Sequence, residues 1–353
     1  VAWGGLAAGG VGDGIIPPAA AGPAADDAAD GEPAAAPRAV GAEGVEAPDP
    51  GAQVRAARAR TRMHLDLQAL AHLADVDHHG LYLDFGTPAR MHFTMGRWNN
   101  GFLTDVQAGE RDFTRIGSDA RAWFHLDEAG PLTLRFRGRP LASERINVYL
   151  NGRRAGAVDF EGNGVQDQDL AVDASLVRAG ENALMLRASE TRSVQGEEVA
   201  AELDSLWVFE GEAPEGELTP PLHSELVREL AVGDQTRDAV VVRAPTTVRW
   251  YAEVPEGAKL SFAVGAAGEA PSGTARVTVT PEGGEAQQVF EADLAGRWND
   301  QLLDLAPFAG EVVRIEFAIA GEAGAEAGIA APSVVVPLPE EPLPEARAES
   351  VVV

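Results

Sequence analysis

The chain has 353 residues, 45% of them hydrophobic, with 28 basic against 55 acidic side chains and a formal net charge of −27. A surface this acidic repels phosphate backbones and anionic lipid, which argues against nucleic acid and charge-driven membrane attachment, and a highly sulfated polymer would need a local cluster of arginines. There is no cysteine, which excludes disulfides, thiolate nucleophiles and cysteine metal sites.

In chain order, residues 1–55 are Ala, Gly, Pro, Asp and Glu with almost nothing to seed a core, and read as a disordered tether. Both ends read as cut, and Ala2 to Ala8 read at most as the last residues of a signal peptide. No run of about 18 apolar residues is present, so no transmembrane helix is expected in these residues. From Arg60 to Ala74, leucines and a methionine alternate and then fall at helical spacing, a strand entering a short helix or turn. Short apolar-polar alternations follow at Leu81–Phe85, Arg90–Met95, Arg121–Leu126, Leu132–Arg137, Ile146–Leu150, Ala155–Phe160 and Ala183–Arg187, with a closing strand at Leu203–Phe209. Even spacing with no long amphipathic helix predicts an all-β, antiparallel β-sandwich over residues 56–210. Residues 211–222 read as a Pro/Gly/Glu linker. Eight further strand candidates between Ala239 and Val336 predict a second sandwich over 223–337, a repeat of architecture rather than of sequence. Residues 338–349 form a proline-rich linker, and Ser350–Val353 resembles the first strand of an absent α/β domain.

Within the first sandwich, Ile146, Val148 and Leu150 alternate with polar residues up to Asn151-Gly152, a tight-turn signal, and a second turn at Arg178–Asn182 introduces Ala183–Arg187. This order of strands and turns resembles the galactose-binding-like jelly roll. Asp75–Gly86, that jelly-roll core and Trp298–Phe317 together resemble the N-terminal β-sandwich extensions of bacterial sulfatases. The resemblance implies a catalytic domain in cis, beyond these residues, and a periplasmic, outer-membrane-anchored or secreted location. It carries no catalytic residue here, because neither Cys-x-Pro-x-Arg nor Ser-x-Pro-x-Arg occurs in the sequence.

The sequence also offers candidate sites of its own. Exposed aromatics beside planar hydrogen-bonding groups suit sugars, and Arg97-Trp98-Asn99-Asn100 has a counterpart in Arg297-Trp298-Asn299. The competing reading is that each tryptophan plugs an end of its sandwich. Trp123, Trp207 and Trp250 lie in alternating strands and read as core. No cofactor is expected. Asp75, Asp77, His78 and His79 form the densest ionisable cluster, where a structural calcium competes with a solvated turn. No paired carboxylates or nucleophile elbow stand out for catalysis. The function expected is a non-catalytic accessory region of a sulfatase-type hydrolase with glycan as a partner, the alternative being a stand-alone carbohydrate-binding or adhesion module.

Overall fold

The computed structural model describes residues 50–94, 100–212, 223–268 and 273–339. The expected tether up to residue 49, most of the 211–222 linker, and residues 340–353 lie outside them.

In chain order the strands are β1 (Thr61–Asp66), β2 (Asp75–Asp77), β3 (Leu81–Asp84), β4 (Phe102–Ala108), β5 (Arg111–Ile116), β6 (Asp119–Leu126), β7 (Leu132–Pro140), β8 (Arg145–Leu150), β9 (Arg153–Asp159), β10 (Gln166–Val172), β11 (Gly180–Ala188), β12 (Arg192–Val194), β13 (Glu197–Val199) and β14 (Ala201–Glu210). They continue as β15 (Val227–Val232), β16 (Gln235–Arg243), β17 (Thr246–Glu253), β18 (Lys259–Ala266), β19 (Gly273–Pro281), β20 (Gln287–Asp293), β21 (Asn299–Asp304), β22 (Val312–Gly321) and β23 (Glu326–Pro337). The helices are short: α1 (Pro50–Arg58), α2 (Arg90–Thr94) and α3 (His223–Leu226). No helix among the described residues is long and apolar enough to cross a membrane.

An 11-stranded antiparallel sheet runs through the whole fold in the order β10-β7-β14-β3-β2-β17-β22-β19-β20, with β5 and β4 on a branch beside β14. Strand β2 opposes Tyr82 with Val76 on one side and Val248 with Val76 on the other. Side chains alternate across a strand, so Val76, Tyr82 and Val248 share one face, while Asp75, Asp77, Leu81, Leu83, Arg249 and Tyr251 share the other. Leu81 and Leu83 belong to a core with Phe124, Val148 and Leu184 of the four-stranded sheet β6-β11-β8-β9. Val76 and Val248 belong to a core with Val240, Phe262 and Ile329 of the sheet containing β15, β16, β23, β18 and β21. The two sandwiches therefore lie on opposite faces of one common sheet. Each outer sheet stops where the common sheet continues, leaving a step on either face.

This arrangement corrects the expected boundary at residue 56. Strand β1 pairs with β23, Met63 opposite Val335 and Asp66 opposite Ser333. Leu67, Ala71, Ala74 and Val76 are buried in the second core, not the first. Residues 50–55, expected in the tether, lie in α1, whose Arg58 donates to the Phe262 carbonyl at 3.1 Å and whose Arg55 and Arg58 flank buried Asp300 at 3.5 and 3.8 Å. The C-terminal sandwich is thus completed by the N-terminal end of the described chain.

The segment Arg90–Met95, expected as a strand, is helix α2 over Arg90–Thr94. Met91 and Phe93 suggested alternation, but Pro88 starts a helical turn, with Arg90 and His92 amides bonded to Thr87 and Ala89 carbonyls. Only Phe93 of the pair is buried; Met91 is 46% exposed. The Asn151-Gly152 turn forms as expected, with φ of +53° and +79°. Asn151 also ties the hairpin to β11: its Oδ1 accepts from Ala183 N at 3.0 Å and its Nδ2 donates to buried Asn182 Oδ1 at 2.8 Å.

Leu67 has no exposed surface. Leu67→Ala is expected to cost about 2–5 kcal/mol, and native-state hydrogen exchange should show protection lost in β18 and β23 before β8 and β11. Earlier loss in β8 and β11 would place residues 60–77 with the first core.

Candidate functional site

The step on the four-stranded side forms a groove. Its floor is β2 and β17 of the common sheet, and its wall is β6, the edge strand of the four-stranded sheet. In β6, Ala120, Ala122, Phe124 and Leu126 are buried, which turns Asp119, Arg121, Trp123 and His125 outward. Two cavities occupy the groove. One, of about 280 Å³, is lined by Asp75, His92, Trp123, His125, Glu181 and Tyr251 among others. The second, of about 290 Å³, shares Asp75, His125 and Tyr251 and continues past Arg249 to Arg314 and Glu210.

Asp75 is the hinge between the cavities. It is 5% exposed, and its Oδ1 lies 2.8 Å from His92 Nε2 while its Oδ2 accepts from the Tyr251 hydroxyl at 3.1 Å. Burial, followed by the Asp75 charge, pushes the Tyr251 hydroxyl above its ordinary pKa, so it stays neutral and donating. Its ring remains 43% exposed. Arg249 is held by Glu316 at 2.7 Å and Asp77 at 3.4 Å. Across the groove, Arg314 of β22 meets Asp127, just beyond β6, at 2.5 Å, joining the two sandwiches. Asp75, Asp77, Asp127 and Glu316 are each held by a partner, and Trp123 and Tyr251 are the partly exposed aromatic side chains of the lining.

The Asp75–His79 cluster is divided. Asp75 and Asp77 face the groove with these partners. His78 is buried, its Nδ1 2.9 Å from Thr246 Oγ1, and burial lowers its pKa. No group of three or more His, Asp or Glu side chains among the described residues is placed to hold a metal ion.

The Arg-Trp-Asn residues fare differently. Arg97, Trp98 and Asn99 lie outside the described residues. Asn100 Nδ2 donates to Thr94 O at 3.2 Å and its Oδ1 accepts from Phe102 N at 3.0 Å. Next to it, Gly101 has φ of +82°, and a Cβ there would sit 1.5 Å from Asp119 O, so only glycine lets the backbone at position 101 approach β6 this closely. Trp298 is 9% exposed, packs with Leu230, Val232 and Ala330, and donates from Nε1 to Gln235 O at 3.1 Å. That is the plugging role, and it corrects the binding assignment. Asn299 Oδ1 is taken by Gln301 Nε2 at 2.7 Å, and Arg297 is exposed beside the plug.

Trp207 and Trp250 are buried as expected. Trp123, also assigned to the core, is half-buried on the outward face. Its parity with Asp119, Arg121 and His125 carried that signal in the sequence. Tyr251 was not singled out, since nothing local marks it.

On the opposite face of the common sheet, the second step encloses a cavity of about 370 Å³ with Asp84, Asp204, Arg111, His223 and Arg243 on its lining. Burial raises the Asp84 carboxyl to about 7, against a hydrogen bond from His223 N, and burial also raises Asp204 despite Arg111 at 3.0 Å.

No family model matches the sequence, and no curated protein does. Among solved structures, the chain is similar to a family 29 carbohydrate-binding module (20% identity, 28% of this chain and 69% of that one, TM-score 0.22). It is similar also to the CBM22-1-CBM22-2 tandem domain of Paenibacillus barcinonensis Xyn10C (10% identity, 69% of this chain and 96% of that one, TM-score 0.23). A third is the M60 catalytic domain with CBM51-1 and CBM51-2 of Clostridium perfringens ZmpB (9% identity, 66% of this chain and 36% of that one, TM-score 0.24). Likenesses of this size carry no argument about what the chain binds.

An acid whose pKa is higher folded than unfolded binds its proton more tightly in the native state. Asp84 therefore favours folding below about pH 4, and that contribution fades as pH rises to about 7. Asp84→Asn is expected to flatten the stability profile over this window and to raise the thermal midpoint at pH 8, by up to about 4 kcal/mol equivalent. An unchanged slope in the variant would assign the pH dependence elsewhere. Trp298→Ala is expected to cost about 3–5 kcal/mol in chemical unfolding; a cost under about 1 kcal/mol would return the residue to the surface.

Proposed function

We propose that the chain is a non-catalytic glycan-binding module that takes sugar rings in the groove between Trp123 and Tyr251. The observation that carries this reading is the pair of partly exposed aromatic rings lining one cavity with Asp75, His92 and His125. Apolar sugar faces stack on aromatic rings, while hydroxyls need charged and polar partners held in fixed geometry. The Tyr251–Asp75–His92 chain of contacts supplies such partners. The two contiguous cavities suit more than one ring of a polymer. Such a ligand fits an extracytoplasmic protein.

Attachment to a downstream sulfatase domain is favoured by no residue of the groove. The valine-rich stretch that suggested it, Ser350–Val353, lies outside the described residues.

Affinity electrophoresis through a panel of neutral polysaccharides tests the reading. Trp123→Ala and Tyr251→Ala should each weaken retention about ten-fold or more, the scale of one well-packed aromatic contact. Trp123 is half-buried, and Trp123→Ala should shift stability by about 1 kcal/mol or less, whereas Tyr251→Ala also removes the donor to buried Asp75 and should cost about 1–3 kcal/mol. Retention unchanged in both variants, or no retention of the parent by any polymer, would overturn it.

A further inference from the structure

The outward face of the four-stranded sheet carries a second surface. Strand register sets Arg121 of β6 opposite Met185 of β11, Met185 opposite Tyr149 of β8, and Tyr149 opposite Arg154 of β9. One row therefore crosses all four strands as cation, thioether, phenol, cation. With strands about 4.8 Å apart, the two arginine Cα atoms stand roughly 14 Å apart. Both arginines are exposed, and Met185 and Tyr149 are half-buried between them.

The charge pairing of this row differs from that of its neighbours. On the same face, Arg187 of the adjacent row is matched to Asp119 at 3.1 Å, and Arg145, one row further, to Asp159 at 2.8 Å. The same pattern holds on the common sheet, where Arg135 and Arg137 face Asp169 and Asp167 at 2.8 and 2.6 Å. Arg121 and Arg154 have no carboxylate partner among the described residues. Arg154 instead donates from Nη2 to the neutral amide Oδ1 of Asn147 at 3.0 Å. Arg187 adds a third guanidinium, 5.8 Å from the Tyr149 ring centroid. On a chain with nearly twice as many acids as bases, two exposed arginines without carboxylates on one aromatic row form the local cluster that an anionic ligand needs.

We propose that this face binds a uronate-bearing polysaccharide, with Arg121 and Arg154 receiving carboxylates and Tyr149 and Met185 covering the rings between them. The guanidinium fork matches a planar carboxylate through two parallel hydrogen bonds. Two separated forks suit a polymer with about one charge per ring. A densely sulfated chain would press further charge against the acidic surroundings. Arg121 lies two residues from Trp123 on the outward face of β6, so the row borders the groove, but none of Arg121, Met185, Tyr149 and Arg154 lines either of its cavities.

The test uses the full chain in gels containing polygalacturonate, with dextran sulfate and a neutral polymer in parallel, at low and at moderate salt. Arg121→Gln/Arg154→Gln replaces exposed side chains with uncharged polar ones and is expected to weaken polygalacturonate retention about ten-fold or more. Parent retention should fall as salt rises, because exposed charge pairs are screened. Tyr149→Ala should weaken retention as well. The proposal fails if the double variant is retained like the parent, if the parent is not retained at low salt, or if dextran sulfate is held more tightly than polygalacturonate.

Discussion

The pairing of three residues, Asp75-Val76-Asp77, with β3 on one edge and β17 on the other is the constraint on which the rest of the molecule depends. Without it there would be two separate sandwiches, each with an exposed edge strand of unpaired amides and carbonyls. With it, the edges of two sheets become the middle of one. Val76 turns to the second core and Leu81 to the first, so a change of face within five residues decides where each outer sheet packs. A one-residue slip in β2 would send Val76 into the groove and Asp75 into the second core, so the register is strongly specified.

The same pairing creates the grooves. A sheet covered on opposite faces at its two ends must leave a step on each face, and each step exposes the polar side of strands whose other side is core. Asp75, Arg249 and Tyr251 are simply the outward residues of β2 and β17, alternating with Val76, Val248 and Trp250. Their partners come from the other sandwich: His92 reaches Asp75 from α2, and Asp127 reaches Arg314 from the end of β6. The groove is therefore assembled from distant sequence on a rigid floor, which lowers the ordering cost of binding.

That origin explains what the sequence could and could not show. Strands with one buried face, such as Arg121–Leu126 and Ile146–Leu150, are legible because apolar and polar residues alternate. Strand β4 buries Phe102 alone, so it has no alternation to read, and β2 is too short to have a period. The membership of Leu67, Ala71 and Ala74 in the second core is invisible locally, because it is fixed by the pairing of β1 with β23, some 270 residues further on. For the site, Trp123 was readable from its parity within β6. The approach of Tyr251 and Asp75 to it was not, since only the common sheet brings β17 beneath β6. Local composition does not distinguish a platform from a plug in the Arg-Trp-Asn pattern; at Trp298 the bond from Nε1 to Gln235 O does.

Charge distribution follows the same logic of faces. In the common sheet, arginines and acids sit opposite one another on neighbouring strands, as with Arg135 and Asp169, so cross-strand pairs neutralise the outward face as they zip it together. Cross-strand pairing can neutralise a row only when an acid occupies the facing position. In the row through Tyr149 the facing positions are Met185 and Tyr149 themselves, which cannot. The residues that deny Arg121 and Arg154 an internal partner are thus the same residues that offer a ligand an apolar surface between them, so charge and stacking on that face arise from a single choice of cross-strand pairs.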